Sequence, residues 1–185
     1  MDAAIEEFQE GGFTRANMDR IAERAHVSKR TLYNYFPSKE ALFLEIIQRT
    51  GSLFADDAPC EFDPDENVSV QLERLARRLA RPYANPHAVR MGRLVIGEWM
   101  RNPDLIGGMM AQIEKTSPVD AFFASAVEAG AIDRTVAETT AADLSAFVKG
   151  RCLWPAVLSG KEASSSDIDR LANSAGDLFI AKFKV

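Results

Sequence analysis

Cysteine is scarce in this chain: Cys60 and Cys152 are the only two in 185 residues, and they are distant in sequence. No export signal opens the chain, since Met1 is followed by Asp2 and then Glu6 and Glu7. Free thiols in a reducing cytoplasm are therefore expected, not a disulfide framework. Histidine is equally rare, and neither His26 nor His87 stands at ligand spacing to a cysteine, so no metal site is expected. There is no Gly-rich phosphate loop and no nucleophile elbow. The carboxylates are plentiful but read as solvated helix faces. No cofactor and no enzymatic activity are expected. No apolar run approaches the roughly 18–20 residues of a membrane span, so no membrane partner is expected and the location is taken as cytoplasmic. No segment alternates with period two long enough to be a strand, and there is no internal repeat. These absences leave an all-α fold of about nine helices, with a length sufficient for one or two domains.

What is present centres on Asn17 to Phe36. Met18, Ile21, Ala22 and Ala25 recur at helical spacing, and Leu32 and Phe36 lie four apart on one side of a second helix. Between them comes Ala25-His26-Val27-Ser28. Asn17 and Ser28 are good N-cap residues, able to accept a backbone N–H that the first turn leaves without a partner. Two helices joined by so short a turn form a helix-turn-helix, whose second helix enters the DNA major groove. Its first residues are Ser28, Lys29, Arg30 and Thr31, all able to bond bases or phosphates.

The run Ile21-Ala22-Glu23-Arg24-Ala25, then Val27-Ser28-Lys29-Arg30-Thr31-Leu32-Tyr33-Asn34-Tyr35-Phe36-Pro37-Ser38-Lys39-Glu40-Ala41-Leu42, closely resembles the DNA-binding signature of the tetracycline-repressor (TetR) family. The resemblance runs from about Ala3 to Ile47, roughly a quarter of the chain. Two departures stand out. His26 occupies the turn position where the family usually has Gly, and His tolerates a left-handed backbone better than most residues. Similar proteins usually carry about ten more residues before the first helix, often basic. Either the native protein lacks that arm or this chain is a shortened form of it. The resemblance further implies that Tyr33, Asn34 or Tyr35 reaches DNA from the exposed side of the second helix.

Net charge is −5, but from Asn17 to Lys39 five cations (Arg20, Arg24, Lys29, Arg30, Lys39) face two anions (Asp19, Glu23), a local excess of +3. An acidic body with one basic face still presents that face to DNA. Lys29, Arg30 and Thr31 are the base-edge candidates. Lys39 is expected at a phosphate, with the free N–H groups of its helix start, and Asn17 can serve a phosphate in the same way.

In chain order, Ala3 to Gly11 reads as a helix ended by Gly11-Gly12. Pro37 stops the third helix, and Ser38 caps a fourth running to about Ala55. Asp56 to Asn67 reads as a loop. Helices are then expected over Val68 to Tyr83, His87 to Arg101, Leu105 to Lys115, Pro118 to Gly130, Thr140 to Leu158 and Asp167 to Phe183, the last capped by Ser166. The head is placed at 1–50 and the body at 51–185.

For the body the resemblance implies a homodimer and a small-molecule pocket among the middle helices. Bulky apolar residues there are the pocket candidates: Met91, Trp99, Met100, Met109, Met110, Phe122, Phe123, Phe147 and Trp154. Arg151, between Phe147 and Trp154 at helical spacing, either pairs with an acid, Asp143 or one from a partner chain, or binds an anionic or carbonyl-bearing effector. The last two helices suit a dimer, with Leu171, Ala175 and Leu178 on the final stripe and the small residues Ala172, Ala175 and Gly176 permitting close approach; the alternative is that these stripes are core within the chain, and one helix can serve both uses. The expected function is a dimeric transcriptional regulator, a repressor of a double-stranded DNA operator that a small effector releases. The alternative is a small-molecule or protein-binding dimer whose head has weak or lost DNA binding.

Overall fold

The structure is a computed structural model, which describes residues 1–54, 60–110 and 118–184. Ala55, the first part of the expected loop over 56–67, and residues 111–117 lie outside the described residues, as do the side chains of Met109 and Met110. The described residues are all-α, without a strand. Eleven α-helical segments follow one another: α1 Asp2–Arg15, α2 Met18–Arg24, α3 Lys29–Tyr35, α4 Lys39–Phe54, α5 Val68–Ala80, α6 Pro86–Arg101, α7 Pro103–Met110, α8 Pro118–Glu128, α9 Arg134–Val148, α10 Trp154–Ser159 and α11 Ser165–Phe179. They divide into two compact units, Met1–Ser52 with Arg90–Glu114, and Leu53–Val89 with Lys115–Val185.

In the first unit an aromatic trio fixes the head. Phe8 and Phe13 stack at 5.9 Å, and Phe43 of α4 stands edge-on to both, at 5.0 and 5.3 Å. Ile5, Ile21, Leu42 and Ile46 are buried with them, the inward stripes that the apolar spacing of these helices predicts. Gly11-Gly12 does not end α1 as expected. The helix resumes after Gly12, whose backbone sits at φ 68° and ψ 168°, and it reaches Arg15. Glycine alone takes that conformation at no steric cost. A Cβ there would also meet the Glu98 carboxylate at 3.2 Å.

In the second unit α5 and α11 pack along each other more extensively than any other pair. The approach is close because Gly176 has no side chain: a Cβ would lie 2.6 Å from Ser69 Oγ and 2.9 Å from Glu73 Cγ. The small residues of α11 thus serve contact within the chain, and Ala172, Ala175 and Gly176 are all buried there. A second aromatic cluster joins Phe62, Phe122, Phe123 and Phe183, with ring centroids 5.4–6.5 Å apart.

Several boundaries differ from the sequence reading. α5 ends at Ala80, and Arg81–Ala84 form a 3₁₀ turn in which Pro82 supplies no N–H. α9 begins at Arg134, not Thr140, because its buried stripe of Ala137, Thr140 and Ala141 is too small and polar to register as apolar periodicity. It continues through a π-helical turn, Lys149–Leu153, into α10. α11 is capped by Ser164, not Ser166: the Ser164 hydroxyl accepts from the Asp167 N–H, and the Asp167 carboxylate accepts from the Ser164 N–H at 3.1 Å. That reciprocal box stabilises the helix start.

Candidate nucleic-acid interface

The turn between α2 and α3 is built as the residue types demand. Asn17 Oδ1 accepts from the Asp19 N–H at 2.7 Å, and Ser28 Oγ accepts from the Thr31 N–H at 3.1 Å, so each helix start is capped. His26 lies at φ 54°, the left-handed conformation expected of it. α3 stops at Tyr35, and Phe36 before Pro37 is extended. Of α3, Leu32 alone is buried, while Lys29, Arg30, Thr31, Tyr33, Asn34 and Tyr35 are exposed. Tyr35 is 76% exposed and does not pack in the head core.

Four of the five cations counted in the sequence are engaged within the chain. Glu7 is 1% exposed and is the hub. Its Oε1 accepts from Arg20 Nε at 2.7 Å and from the Asn17 N–H at 3.1 Å. Arg24 forms a forked pair with Glu10 and lies 3.8 Å from Glu7 Oε2. Lys29 Nζ pairs with Asp19 Oδ2 at 2.6 Å. Lys39 Nζ donates to the Phe13 and Thr14 carbonyls, 2.9 Å each, at the end of α1, and stands 4.8 Å from the Phe13 ring centroid. Among the described residues, Arg30 is the one of the five without an ion pair or hydrogen bond. The net excess of +3 in the sequence is therefore largely neutralised locally, and Arg30 stands out as the available cation.

The sequence reading missed the Glu7 hub and the Asp19 partner. The signal for Glu7 is its place among inward residues, between Ile5 and Phe8. For Asp19 it is the opposite charge of two residues that each lie in the first turn of a capped helix.

The Arg20 guanidinium bonded to Glu7 holds the Glu7 carboxyl below its ordinary value of 4.5. A lowered native-state value means that ionised Glu7 adds stability above that pH, and this is lost as pH falls through the lower value. Glu7→Gln should therefore destabilise the head at neutral pH and lessen the loss of stability on acidification toward about pH 3. Urea unfolding at both pH values checks this, and an unchanged pH dependence would remove Glu7 from the hub.

The effector candidates belong to both units. Trp99 and Met100 belong to the first unit and are 46% and 82% exposed. Phe122 and Phe123, in the second, are 1% and 3% exposed and packed in the aromatic cluster. Phe147 is half-buried, edge-on to Phe179 at 6.0 Å, and the Arg151 guanidinium lies 5.3 Å from its ring centroid. Arg151 is exposed and makes no ion pair with Asp143, so neither a buried charge nor the expected acid partner is found among the described residues. Trp154 is half exposed. Of the dimer candidates, Leu171 and Ala175 are in the core of their own unit, and Leu178 is 57% exposed. The Cys152 thiol is buried and its pKa is raised by that burial, which makes it a poor nucleophile. No described helix is long and apolar enough to cross a membrane.

Residues 1–46 match the family model for bacterial regulatory proteins of the tetR family, and residues 70–185, more than half of the chain, match the model for the C-terminal domain of AefR-like transcriptional repressors. The HTH-type transcriptional regulator RutR of Escherichia coli (strain K12) is 26% identical over 136 residues, 72% of this chain and 64% of RutR. The chain therefore spans under two thirds of the length of that curated relative. The HTH-type transcriptional activator FasR of Mycolicibacterium smegmatis (strain ATCC 700084 / mc(2)155) is 51% identical over 47 residues, 25% of this chain and 22% of FasR. A crystal structure of a TetR family transcriptional regulator from Pseudomonas syringae pv. tomato str. DC3000 superposes with a TM-score of 0.84 at 30% identity, covering 98% of this chain and 93% of that one. With both parts of the chain matched and a helix-turn-helix whose caps and turn are formed as the motif requires, the chain belongs to the TetR family of bacterial regulatory proteins.

Proposed function

We propose that the chain is a dimeric DNA-binding transcriptional regulator, a repressor that a small-molecule effector releases from its operator, working in the cytoplasm and without catalytic activity. The observation that carries this reading is α3, capped at Ser28, with its polar side chains exposed and Arg30 left available. Base reading falls to Lys29, Arg30 and Thr31, with Tyr33 and Asn34 farther along the helix. Ser28 and Asn17 act at phosphates only beyond their capping bonds. Lys39 has two of its three N–H groups committed to α1 carbonyls, so one remains for a phosphate.

DNA reading is assigned to residues 1–50, and effector binding and dimerisation to 51–185. The part of α6 from Arg90 then belongs by function to the sensing half and by packing to the DNA-reading unit. That supports a route by which an effector changes the head. Such a shift cannot exceed the effector's differential affinity for the two states. Dimer contacts are proposed at Leu178, Trp154 and Leu158, the large apolar side chains left exposed on the last two helices.

Arg30→Ala tests the reading. If Arg30 contacts a base edge, the change should cost on the order of 1–3 kcal/mol on a duplex selected by the protein from random sequence. Affinity for shuffled DNA should fall less. An equal loss on both makes Arg30 a phosphate contact. A wild-type protein that selects no sequence favours the second reading, a ligand- or protein-binding dimer with a weak head. The net charge of −5 and the engagement of four head cations support that second reading.

A further inference from the structure

We infer that Asp19 is a positioning residue that sets DNA specificity, tethering the Lys29 ammonium so that it meets a base-edge acceptor and denying it to phosphates elsewhere. The inference rests on the reading of α3 as the groove helix.

The two residues sit at neighbouring helix starts. Asp19 is in the first turn of α2, with its own N–H fixed by Asn17, and Lys29 is the first residue of α3, directly after its cap. The Asn17 side chain thus holds the Asp19 N–H, the Ser28 cap beside Lys29 holds the Thr31 N–H, and the Asp19 and Lys29 side chains close a 2.6 Å ion pair between the two helix starts. The pair is on the surface, with Lys29 65% and Asp19 47% exposed, so DNA can reach it. It borders a cleft lined by Asp19, Arg20, Glu23, Val27, Ser28 and Lys29.

Three consequences follow from the chemistry. An ammonium has three N–H groups, and the one given to Asp19 leaves two for acceptors such as guanine O6 and N7. A lysine is otherwise a flexible point charge that settles on whichever phosphate is near. Holding it restricts the bases it can meet and lowers the ordering cost when it meets the right one. Finally, non-specific affinity follows the number of phosphates neutralised. A cation already balanced by a carboxylate adds little to it, and Glu23 on the same cleft wall adds a second anion.

The test uses Asp19→Asn in the full chain, with two probes: a 24-base-pair duplex selected by the wild-type protein from random sequence, and the same duplex shuffled. Affinity for the shuffled duplex should rise roughly threefold per bound head near 0.1 M salt, and its log–log salt slope should steepen by about one per head. Preference at one operator base pair should flatten by roughly tenfold. Thermal unfolding should be unchanged, and Asp19→Glu should recover much of the preference because the pair can re-form. In a Lys29→Met background, Asp19→Asn should no longer alter base preference. The inference is overturned if base preference survives Asp19→Asn, or if the effect is the same size without Lys29, which makes Asp19 only a surface charge. A wild-type protein that selects no sequence overturns the groove-helix reading itself, and the inference with it.

Discussion

Leu171→Glu should unfold the second unit, whereas Leu178→Glu should leave it folded. Leu171 is 2% exposed on α11, in the core where that helix meets α5, and Leu178, seven residues on, is 57% exposed. Removing the buried isobutyl group costs about 2–5 kcal/mol. Placing a carboxylate in that site adds a desolvation penalty of several kcal/mol, or forces the acid to stay protonated. The sum is comparable to the roughly 5–15 kcal/mol that holds an ordinary domain together. At Leu178 the new charge stays in water within the subunit, and the loss falls on any dimer contact. Circular dichroism and sedimentation should separate them: Leu171→Glu unfolded or aggregated, Leu178→Glu folded and monomeric. A folded Leu171→Glu would move Leu171 out of the core, and an unchanged dimer for Leu178→Glu would end its assignment as a contact.

Phe122→Ala should cost about 3–5 kcal/mol of stability. Its ring is 1% exposed and meets Phe62, Phe123 and Phe183 at 5.8, 5.4 and 6.5 Å. Three neighbouring rings on separate elements cannot all close over the gap, so the cavity term persists alongside the lost transfer energy. Edge-on ring contacts are lost as well, each contributing about 0.5–1.5 kcal/mol beyond buried area. Denaturant unfolding of the variant should show the midpoint fall with little change in slope. Should Phe122 line an effector cavity instead, stability would hold and effector affinity would drop.

The head was legible because its determinants are local. Asn17, Ser28, His26 and Pro37 act through the backbone of their own turn, and each is found doing what its chemistry dictates. Ion pairs were less legible: a count of cations over Asn17 to Lys39 cannot say that Arg20 reaches Glu7 on another helix or that Lys39 reaches the end of α1. Apolar periodicity identified α11 but not which part of its stripe faces α5 and which faces out, so Leu171 and Leu178 were grouped together. The start of α9 was missed because alanine and threonine fill its buried side. α1 was cut short because Gly12 reads as a stop, and it is a kink.

The π turn at Lys149–Leu153 sets which way the end of its rod faces. A turn closed one residue later than an α turn holds one residue more, and the rod between Arg134 and Ser159 accommodates it without breaking. An α-helix advances about 100° per residue. Straightening this turn into α geometry with every residue kept would swing everything beyond it by roughly that angle, carrying Trp154 and Leu158 off their outward side, whereas deleting Gly150 would restore an α turn and leave them facing out. A relative that lacks one residue at this point should therefore carry its exposed aromatic residue at the position aligned with Trp154.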